Sequence, residues 1–376
     1  MAVLVLLLTA NAILFALWPV RRHVVCGADQ ADWPLHVNVA GQEVLSTAGV
    51  LRNVSYLRWF FDAIRRDHHV LFFGTSESTA PHNIGAQLNH LRPHDPGLVI
   101  LARGGLSPIH GCLVFARCRQ AGIAIPPVIL IVNPIYFTSS HDSVNESWLS
   151  NVTRTFVFLM MNHGDIHAQL PSNVRRIYNS TFAEKRFLWP FWMQEYLGNL
   201  LYLNFHQADV AQLNVCTPPI PVYVFDGKIP EYDRIRAVPP GYVPPDQLAK
   251  GRWAVNDADQ SDNLAGLDCS LEMLKREQVP VLVIVLPTNR LFYAANGLDM
   301  NEYSRKYHLI RDRIATAATG DHVFLLDLFD LKLDMGFEDR MHADAYGNSQ
   351  IANLVDQSPQ YNRFIEAVRR YYADHP

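Results

Sequence analysis

The sequence predicts an α/β fold in which a parallel β-sheet is covered by helices on both faces. Short apolar runs of strand length recur along the chain and alternate with longer segments of helical periodicity. Because strands buried on both faces read as nearly continuous apolar runs, these segments indicate a parallel sheet. With 376 residues, 49% of them hydrophobic and 18% charged, the chain can bury a substantial core.

Five apolar runs supply the strands of the predicted sheet. The clearest is Val-Ile-Leu-Ile-Val at 128–132, which follows two prolines. The predicted elements are, in order, a helix at 54–66, strands at 70–73 and 97–102, a helix at 109–121, strands at 128–132 and 279–286, a helix at 301–318, a strand at 323–328, and a last helix that begins at 347–355 and continues into the tail at 369–372.

The N-terminal residues 2–20 carry no charge and are mostly Leu, Ala, Val, Ile and Phe. At about 1.5 Å per residue, a helix of this length nearly crosses the ~30 Å hydrocarbon core of a bilayer. No small-x-small cleavage site follows, so we predict an uncleaved transmembrane anchor at 1–22 and an α/β domain at 23–376. Basic residues at 21–23 follow the span, and the positive-inside rule alone would place the domain in the cytoplasm.

The alternation of strands and helices breaks between about 138 and 265. This region holds a strongly aromatic stretch at 187–205 and then a turn-rich part with clustered prolines. We interpret it as an insertion into the sheet domain, or a cap on it. The aromatic stretch is typical of buried packing, although its Trp and Tyr residues would also suit a membrane interface or a membrane-bound partner.

Composition excludes several function classes. The formal net charge of -4 provides no basic surface for nucleic acid. The 16 histidines are scattered and form no zinc motif, so we expect no structural zinc and no cofactor.

Among the five cysteines, Cys112 and Cys118 could pair, but unpaired buried thiols are the simpler interpretation. Arg103 and Arg290 could hold an anionic substrate, although solvation at the surface is the simpler interpretation.

The strongest candidate for chemistry is Ser76, which follows the strand at 70–73 through a turn at Gly74. Serine is a nucleophile only where a base reaches it. The best base is His342, and Asp339 stands three residues before it, where a carboxylate can orient the imidazole. Alone, Ser76 could instead cap a turn, and the Asp-x-x-His pattern could be an exposed loop pair.

An ester attacked by Ser76 passes through a tetrahedral oxyanion, which requires hydrogen-bond donors. The candidates are the backbone N–H of Ser76, the backbone N–H of Gly105 or Gly104, and the side-chain amide of Asn133. The two glycines could instead only close a loop, and Asn before proline is a common turn signal. Glu77 could favour the positive N-terminus of the helix that follows Ser76, and we assign it no chemical step.

Two groups of motifs carry a resemblance to a known family. The Gly-Thr-Ser turn at 74–76 and the Asp-x-x-His pattern at 339–342 resemble the SGNH (GDSL-like) hydrolase superfamily. The fuller strings FGTSE at 73–77 and VNPIYF at 132–137 are similar to one branch of it, the DltD family. The resemblance implies a three-layer SGNH-hydrolase-like fold, an extracytoplasmic domain on a membrane anchor, and transfer of D-alanyl esters to a cell-envelope polymer. It also implies a membrane-bound O-acyltransferase as partner and an indirect link to an acyl or D-alanyl carrier protein.

Three functional hypotheses remain open on the sequence alone. The first is a serine acyltransferase or esterase that handles D-alanyl or acetyl esters of an envelope polysaccharide or a teichoic-acid-like polymer. The second is a plain carbohydrate esterase or thioesterase that passes the acyl group to water. The third is a non-catalytic scaffold whose cleft binds a glycan or a partner.

Overall fold

The structure is a computed structural model of the chain, and it has the α/β architecture expected from the sequence. For 36–39, 42–45, 54–56 and 76 only the backbone is described. The described residues are 36–39, 42–45, 54–74, 76–78, 80–102, 106–138, 170–176, 222–225, 255–290, 293, 299–333, 336–337 and 342–375.

Seven strands and seven α-helices lie within this part of the chain. The strands are β1 (His36–Val39), β2 (Gln42–Leu45), β3 (Val70–Gly74), β4 (Leu98–Ala102), β5 (Val128–Val132), β6 (Val281–Val285) and β7 (Val323–Asp327). The helices are α1 (Val54–Arg66), α2 (Ile84–Leu91), α3 (Pro108–Gln120), α4 (Asp262–Arg276), α5 (Met300–Ala317), α6 (Ala345–Gln357) and α7 (Pro359–Asp374). Strands β1 and β2 form a separate antiparallel pair.

Five parallel strands form the central sheet in the order β4-β3-β5-β6-β7. Numbered by their own sequence order, the strands run 2-1-3-4-5 across the sheet, so the winding direction reverses between β3 and β5. In open α/β sheets, ligands bind at such a reversal, in the crevice outside the carboxyl ends of the strands. The topology therefore directs attention to the residues that follow β3 and β5.

The sheet is buried on both faces. Along β3, Leu71 and Phe73 belong to the core that contains residues of α1, α3, α4 and α5. Val70 and Phe72 point the other way, into the core that contains residues of α2, α6 and α7. Alternation of side chains along a strand produces these two cores, and the continuous apolar sequence of the strand follows from them.

Helices α3 and α4 pack unusually closely. A Cβ at Gly266 would lie 2.3 Å from the Cα of Ile109, so only glycine permits this approach. A disulfide joins Cys112 on α3 to Cys269 on α4, with Cα atoms 5.5 Å apart. The expectation of unpaired thiols is therefore wrong for Cys112, whose partner lies 157 residues away and not at Cys118. Cys118 is free and buried.

The two ends of the long segment between β5 and α4 lie side by side. Thr138 and Val255 form an antiparallel bridge, and the N–H of Asn256 donates to the carbonyl of Phe137 at 2.8 Å. Two short pieces of this segment are described, at 170–176 and 222–225. The insertion itself stays a prediction, because most of it lies outside the described residues.

The side chain of Asn89 joins the described residues at 222–225 to β4, at the edge of the sheet. The side-chain NH2 of Asn89 donates to the carbonyls of Tyr223, at 2.8 Å, and of Leu98, at 3.0 Å. Its side-chain oxygen accepts from the N–H of Leu98 at 2.8 Å. The residues at 222–225 therefore lie beside α2 and beside β4, which is an edge strand of the sheet. Covering an edge strand in this way protects it from pairing with another strand.

The C-terminal helix differs from the expectation. It is two helices, α6 and α7, separated at Ser358. The Ser358 hydroxyl accepts from the N–H of Tyr361 at 3.0 Å, and Pro359 occupies the first position of α7. Proline cannot continue a preceding helix but suits the first turn of a new one.

The predicted anchor at 1–22 lies outside the described residues. Within the residues that are described, no helix has both the length and the apolar character needed to cross a bilayer.

Candidate active site

The residues that follow β3 and β5 flank the crevice at the reversal of the sheet. Phe73 pairs with Leu130 in the register of these strands. Adjacent strands lie about 4.8 Å apart. Ser76 lies two residues after the end of β3, and Asn133 directly follows β5, so these two predicted site residues follow neighbouring strands.

Ser76 begins a short 3₁₀-helix, Ser76–Ser78, two residues after the end of β3. The turn depends on Gly74, because a Cβ at this position would lie 2.0 Å from Oγ and 2.6 Å from Cβ of Ser78. Ser78 is buried and packs over Gly74. The expectation that glycine is needed at this turn is confirmed, and the contact shows that Ser78 is the residue that demands it.

Asn133 follows β5 and begins the 3₁₀-helix Pro134–Phe137. Its side-chain oxygen accepts from the N–H of Ile135 at 3.1 Å, so it is a cap of this helix, as the Asn-Pro turn signal indicates. Since the oxygen faces the helix, the other polar group of the amide is the NH2, which can only donate. Asn133 is 2% exposed, which places this donor in a buried environment.

His342 stands at the end of a loop that is closed by backbone contacts. Phe337 and Ala343 form an antiparallel bridge, and the N–H of Asp344 donates to the carbonyl of Gly336 at 2.9 Å. Asp344 is fully buried and N-caps α6. His342 itself is partly buried. The backbone on its C-terminal side is thus held by both the bridge and the helix cap.

A single side chain, Gln87 in α2, joins the loops that follow Ser76 and His342. Its NH2 donates to the carbonyl of His82 at 2.8 Å and to the carbonyl of Ala345 at 3.3 Å. His82 lies six residues after Ser76, and Ala345 lies three residues after His342. One amide therefore links a residue that follows the candidate nucleophile to the start of α6, which follows the candidate base.

Three predicted site residues, Gly104, Gly105 and Asp339, lie outside the described residues. The chain after the glycines enters α3 at Ser107, whose N–H donates to Nδ1 of His110 at 3.0 Å. His110 is fully buried, and this burial lowers its pKa to about 4. A ring nitrogen that accepts a hydrogen bond must be unprotonated, so the start of α3 is built around a neutral imidazole.

Arg290, five residues after the end of β6, belongs to an ion-pair network. Arg290 pairs with Asp330 at 2.7 Å, and its guanidinium lies 5.6 Å from the ring centroid of Phe329. Arg311 also contacts Asp330, at 3.0 Å. The side chains of Arg290 and Asp330 are 32% and 57% exposed, so this ion pair lies at the surface, with the Arg290 charge engaged by a carboxylate. Arg103 lies outside the described residues.

Sequence reasoning missed the contact made by Glu77. The hydroxyl of Tyr136 lies 3.2 Å from both Glu77 carboxylate oxygens, and both residues are buried. The sequence suggested only an electrostatic role at a helix N-terminus for Glu77. A partner 59 positions away leaves no local signal in the sequence.

Chemically, the described residues combine a serine turn, a buried amide donor and a histidine loop at the carboxyl ends of the sheet. This combination suits acyl transfer through a serine ester, in which each group has a defined task. Comparison with models of known protein families and with curated proteins finds no match for this chain.

Proposed function

We propose that this chain is an SGNH-type serine acyltransferase or esterase that acts on acyl esters of a cell-envelope polymer. The observation that carries the proposal is the placement of Ser76 two residues after β3 and of Asn133 directly after β5, the two strands that flank the sheet reversal. The Gln87 contact adds support, because it draws the His342 loop toward the loop that follows Ser76.

The proposed reaction begins when Ser76 Oγ attacks the ester carbonyl and passes its proton to His342. The carbonyl oxygen becomes an oxyanion, which the side-chain NH2 of Asn133 and backbone N–H groups stabilise. Collapse of this intermediate breaks the bond to the leaving alcohol, which takes the proton from His342. The acyl group then remains on Ser76 as an ester. Asp339 is proposed to hold the imidazole in its productive tautomer.

The second half of the reaction decides between transfer and hydrolysis. A hydroxyl of the acceptor polymer, or water, attacks the Ser76 ester and passes its proton to His342. His342 then returns the proton to Ser76 Oγ as the bond to the acyl group breaks, which regenerates the free serine. The resemblance to the DltD family favours a D-alanyl group and a polymer acceptor, and an acetyl group is the alternative. It also favours a membrane-bound O-acyltransferase as the partner and an indirect link to a carrier protein.

We further propose that the α/β domain lies outside the cytoplasm on a single N-terminal anchor. The Cys112–Cys269 disulfide supports this location, because disulfides persist in oxidising compartments and are rare in the cytosol. Protease added to spheroplasts that carry the full chain should cleave the domain. A domain that stays intact until the membrane is disrupted would overturn this orientation.

The function is tested by labelling the full chain, purified in detergent, with a fluorophosphonate. Ser76 Oγ should displace fluoride and form one phosphonate ester, which peptide mass spectrometry locates. Ser76→Ala should abolish labelling, and His342→Ala should slow it by about three orders of magnitude. Ser78→Ala is the matched control, since Ser78 is a buried serine of the same 3₁₀-helix and should not affect labelling.

Two outcomes separate this function from its alternatives. If the folded wild-type chain takes up no label at position 76, the proposal fails and a non-catalytic binding scaffold is favoured. If the chain is labelled but an acyl-ester donor yields only free acid, even with a polymer acceptor present, the chain is a plain esterase or thioesterase.

A further inference from the structure

The hydrogen bond between Glu77 and Tyr136 joins the two turns on either side of the sheet reversal. Glu77 directly follows Ser76 within the 3₁₀-helix after β3. Tyr136 lies three residues after Asn133, within the 3₁₀-helix after β5. The Tyr136 hydroxyl is 3.2 Å from each Glu77 carboxylate oxygen. The contact therefore joins the 3₁₀-helix that carries the candidate nucleophile to the 3₁₀-helix that the candidate oxyanion donor caps.

Both partners are removed from water, which makes the contact stronger than a surface hydrogen bond. Glu77 is 6% exposed and Tyr136 is 5% exposed. A hydroxyl that donates to a carboxylate forms a charge-assisted hydrogen bond, and a low local dielectric strengthens it. Leaving a buried carboxylate without this donor would be costly, so the two turns are expected to keep this spacing.

The backbone of Tyr136 is anchored independently of Glu77. The side-chain NH2 of Asn263, in the first turn of α4, donates to the carbonyl of Tyr136 at 2.9 Å. On the other side of Tyr136, the hydroxyl of Thr138 donates to the carbonyl of Ile135 at 2.7 Å. Because the Tyr136 turn is fixed against α4, the hydrogen bond to Glu77 holds the Ser76 turn against a rigid support.

We infer that Glu77 and Tyr136 are positioning residues that set the distance between Ser76 and Asn133. Neither touches the substrate, and each acts through a neighbour on its own 3₁₀-helix. The inference rests on the proposed function, and it assigns to Glu77 a role that the sequence did not suggest. Misplacement of a reacting group by about 1 Å can cost about a hundredfold in rate, so a contact of this kind can control turnover.

The test measures ester turnover by the full chain in detergent for Tyr136→Phe, Glu77→Ala and Glu77→Gln. Tyr136→Phe removes one oxygen atom, and kcat should fall about ten- to a hundredfold while KM stays unchanged. Glu77→Gln keeps a side-chain oxygen that can accept from the tyrosine, so it should retain more activity than Glu77→Ala. Tyr307→Phe is the matched control and should leave kcat unchanged, because Tyr307 is fully buried and its hydroxyl has no hydrogen-bond partner among the described residues.

A double-mutant cycle tests whether Tyr136 acts through the oxyanion donor. In an Asn133→Ala background the donor is absent, so Tyr136→Phe should lower kcat far less than it does in the wild type. An equal loss in both backgrounds would overturn the inference. The inference would also be overturned if the loss of kcat followed only from a lower melting temperature, or if Tyr136→Phe kept full turnover.

The same measurements distinguish failure of the inference from failure of the proposed function. If wild-type protein turns over ester and takes up label at Ser76 while the Glu77 and Tyr136 variants match it, only the positioning role is wrong. If the folded wild-type protein does neither, the proposed function and the positioning role both fail.

Discussion

At the scale of single residues, Asn133 shows how one side chain can serve both structure and chemistry. Its oxygen caps the 3₁₀-helix by accepting from Ile135, and this fixes the orientation of the amide. The sequence allowed Asn133 to be either a turn residue or an oxyanion donor. The turn role is confirmed. The donor role stays a prediction.

His110 makes the stability of the protein depend on pH. Burial lowers its folded-state pKa to about 4, whereas the unfolded chain titrates near the ordinary value of about 6.5. Between these values the unfolded state binds more protons, so the free energy of unfolding falls as the pH is lowered from about 6.5 to about 4, by at most about 1.4 kcal/mol per pH unit from this group. Below about 4 this contribution no longer changes.

The prediction is measured by denaturant unfolding of the wild type and of His110→Gln at several pH values within this window. The variant should show a shallower loss of stability toward acid, because glutamine can accept from Ser107 without titrating. His322→Gln, at an exposed histidine, controls for the loss of a histidine as such. If the free energy of unfolding of the wild type and of His110→Gln changed equally with pH, His110 would not be the source of this pH dependence.

The residues that sequence reasoning identified correctly are those whose role is local. Gly74 was expected at a tight turn, and the structure shows that Ser78 leaves no room there for a Cβ. The Glu77–Tyr136 contact was missed because it depends on which strands are neighbours. A single sequence encodes the preference for a turn but not the identity of a partner that lies across the fold.

At the scale of elements, the five strands of the sheet were predicted to within two residues at each end. Each is short and almost entirely apolar, because parallel strands in such a sheet are covered on both faces, and the one charged residue among them is Asp327 at the end of β7. Helix α2 was missed because it is short, and helix α4 was missed because its start lies in the region assigned to the insertion. The break between α6 and α7 was also missed, although Ser358-Pro359 is a recognisable start signal.

The Cys112–Cys269 disulfide should stabilise the pair of helices α3 and α4. It closes a loop with a sequence separation of 157 residues, and removing a native disulfide typically costs about 2–5 kcal/mol. Cys112→Ala/Cys269→Ala should therefore lower the free energy of unfolding by about this amount. Denaturant unfolding of purified full chain measures the difference.

Cys118 provides the control for this experiment, because it is a buried cysteine with no disulfide. Cys118→Ala should cost less stability than the double variant. Peptide mapping without reduction should recover the cross-linked peptides of Cys112 and Cys269. Recovery of both residues as free thiols from protein kept under oxidising conditions would contradict the disulfide.

At the scale of the whole molecule, the order of the strands is what makes a site. Ser76 and Asn133 are 57 positions apart in the sequence, and only the β3–β5 pairing makes them neighbours. No local pattern predicts that β5 lies beside β3 and not beside β4. The motif order along the chain suggested a shared pocket, and the strand order supplies a physical reason for one.

The central claim is that the hydroxyl of Ser76 and the imidazole of His342 meet beside Asn133 in the crevice between β3 and β5. A crystal structure of the full chain measures this directly. We expect Oγ of Ser76 within about 2.6–3.2 Å of a ring nitrogen of His342, or slightly further without substrate. A histidine on the far side of the sheet, beyond the reach of any movement of its loop, would contradict the claim.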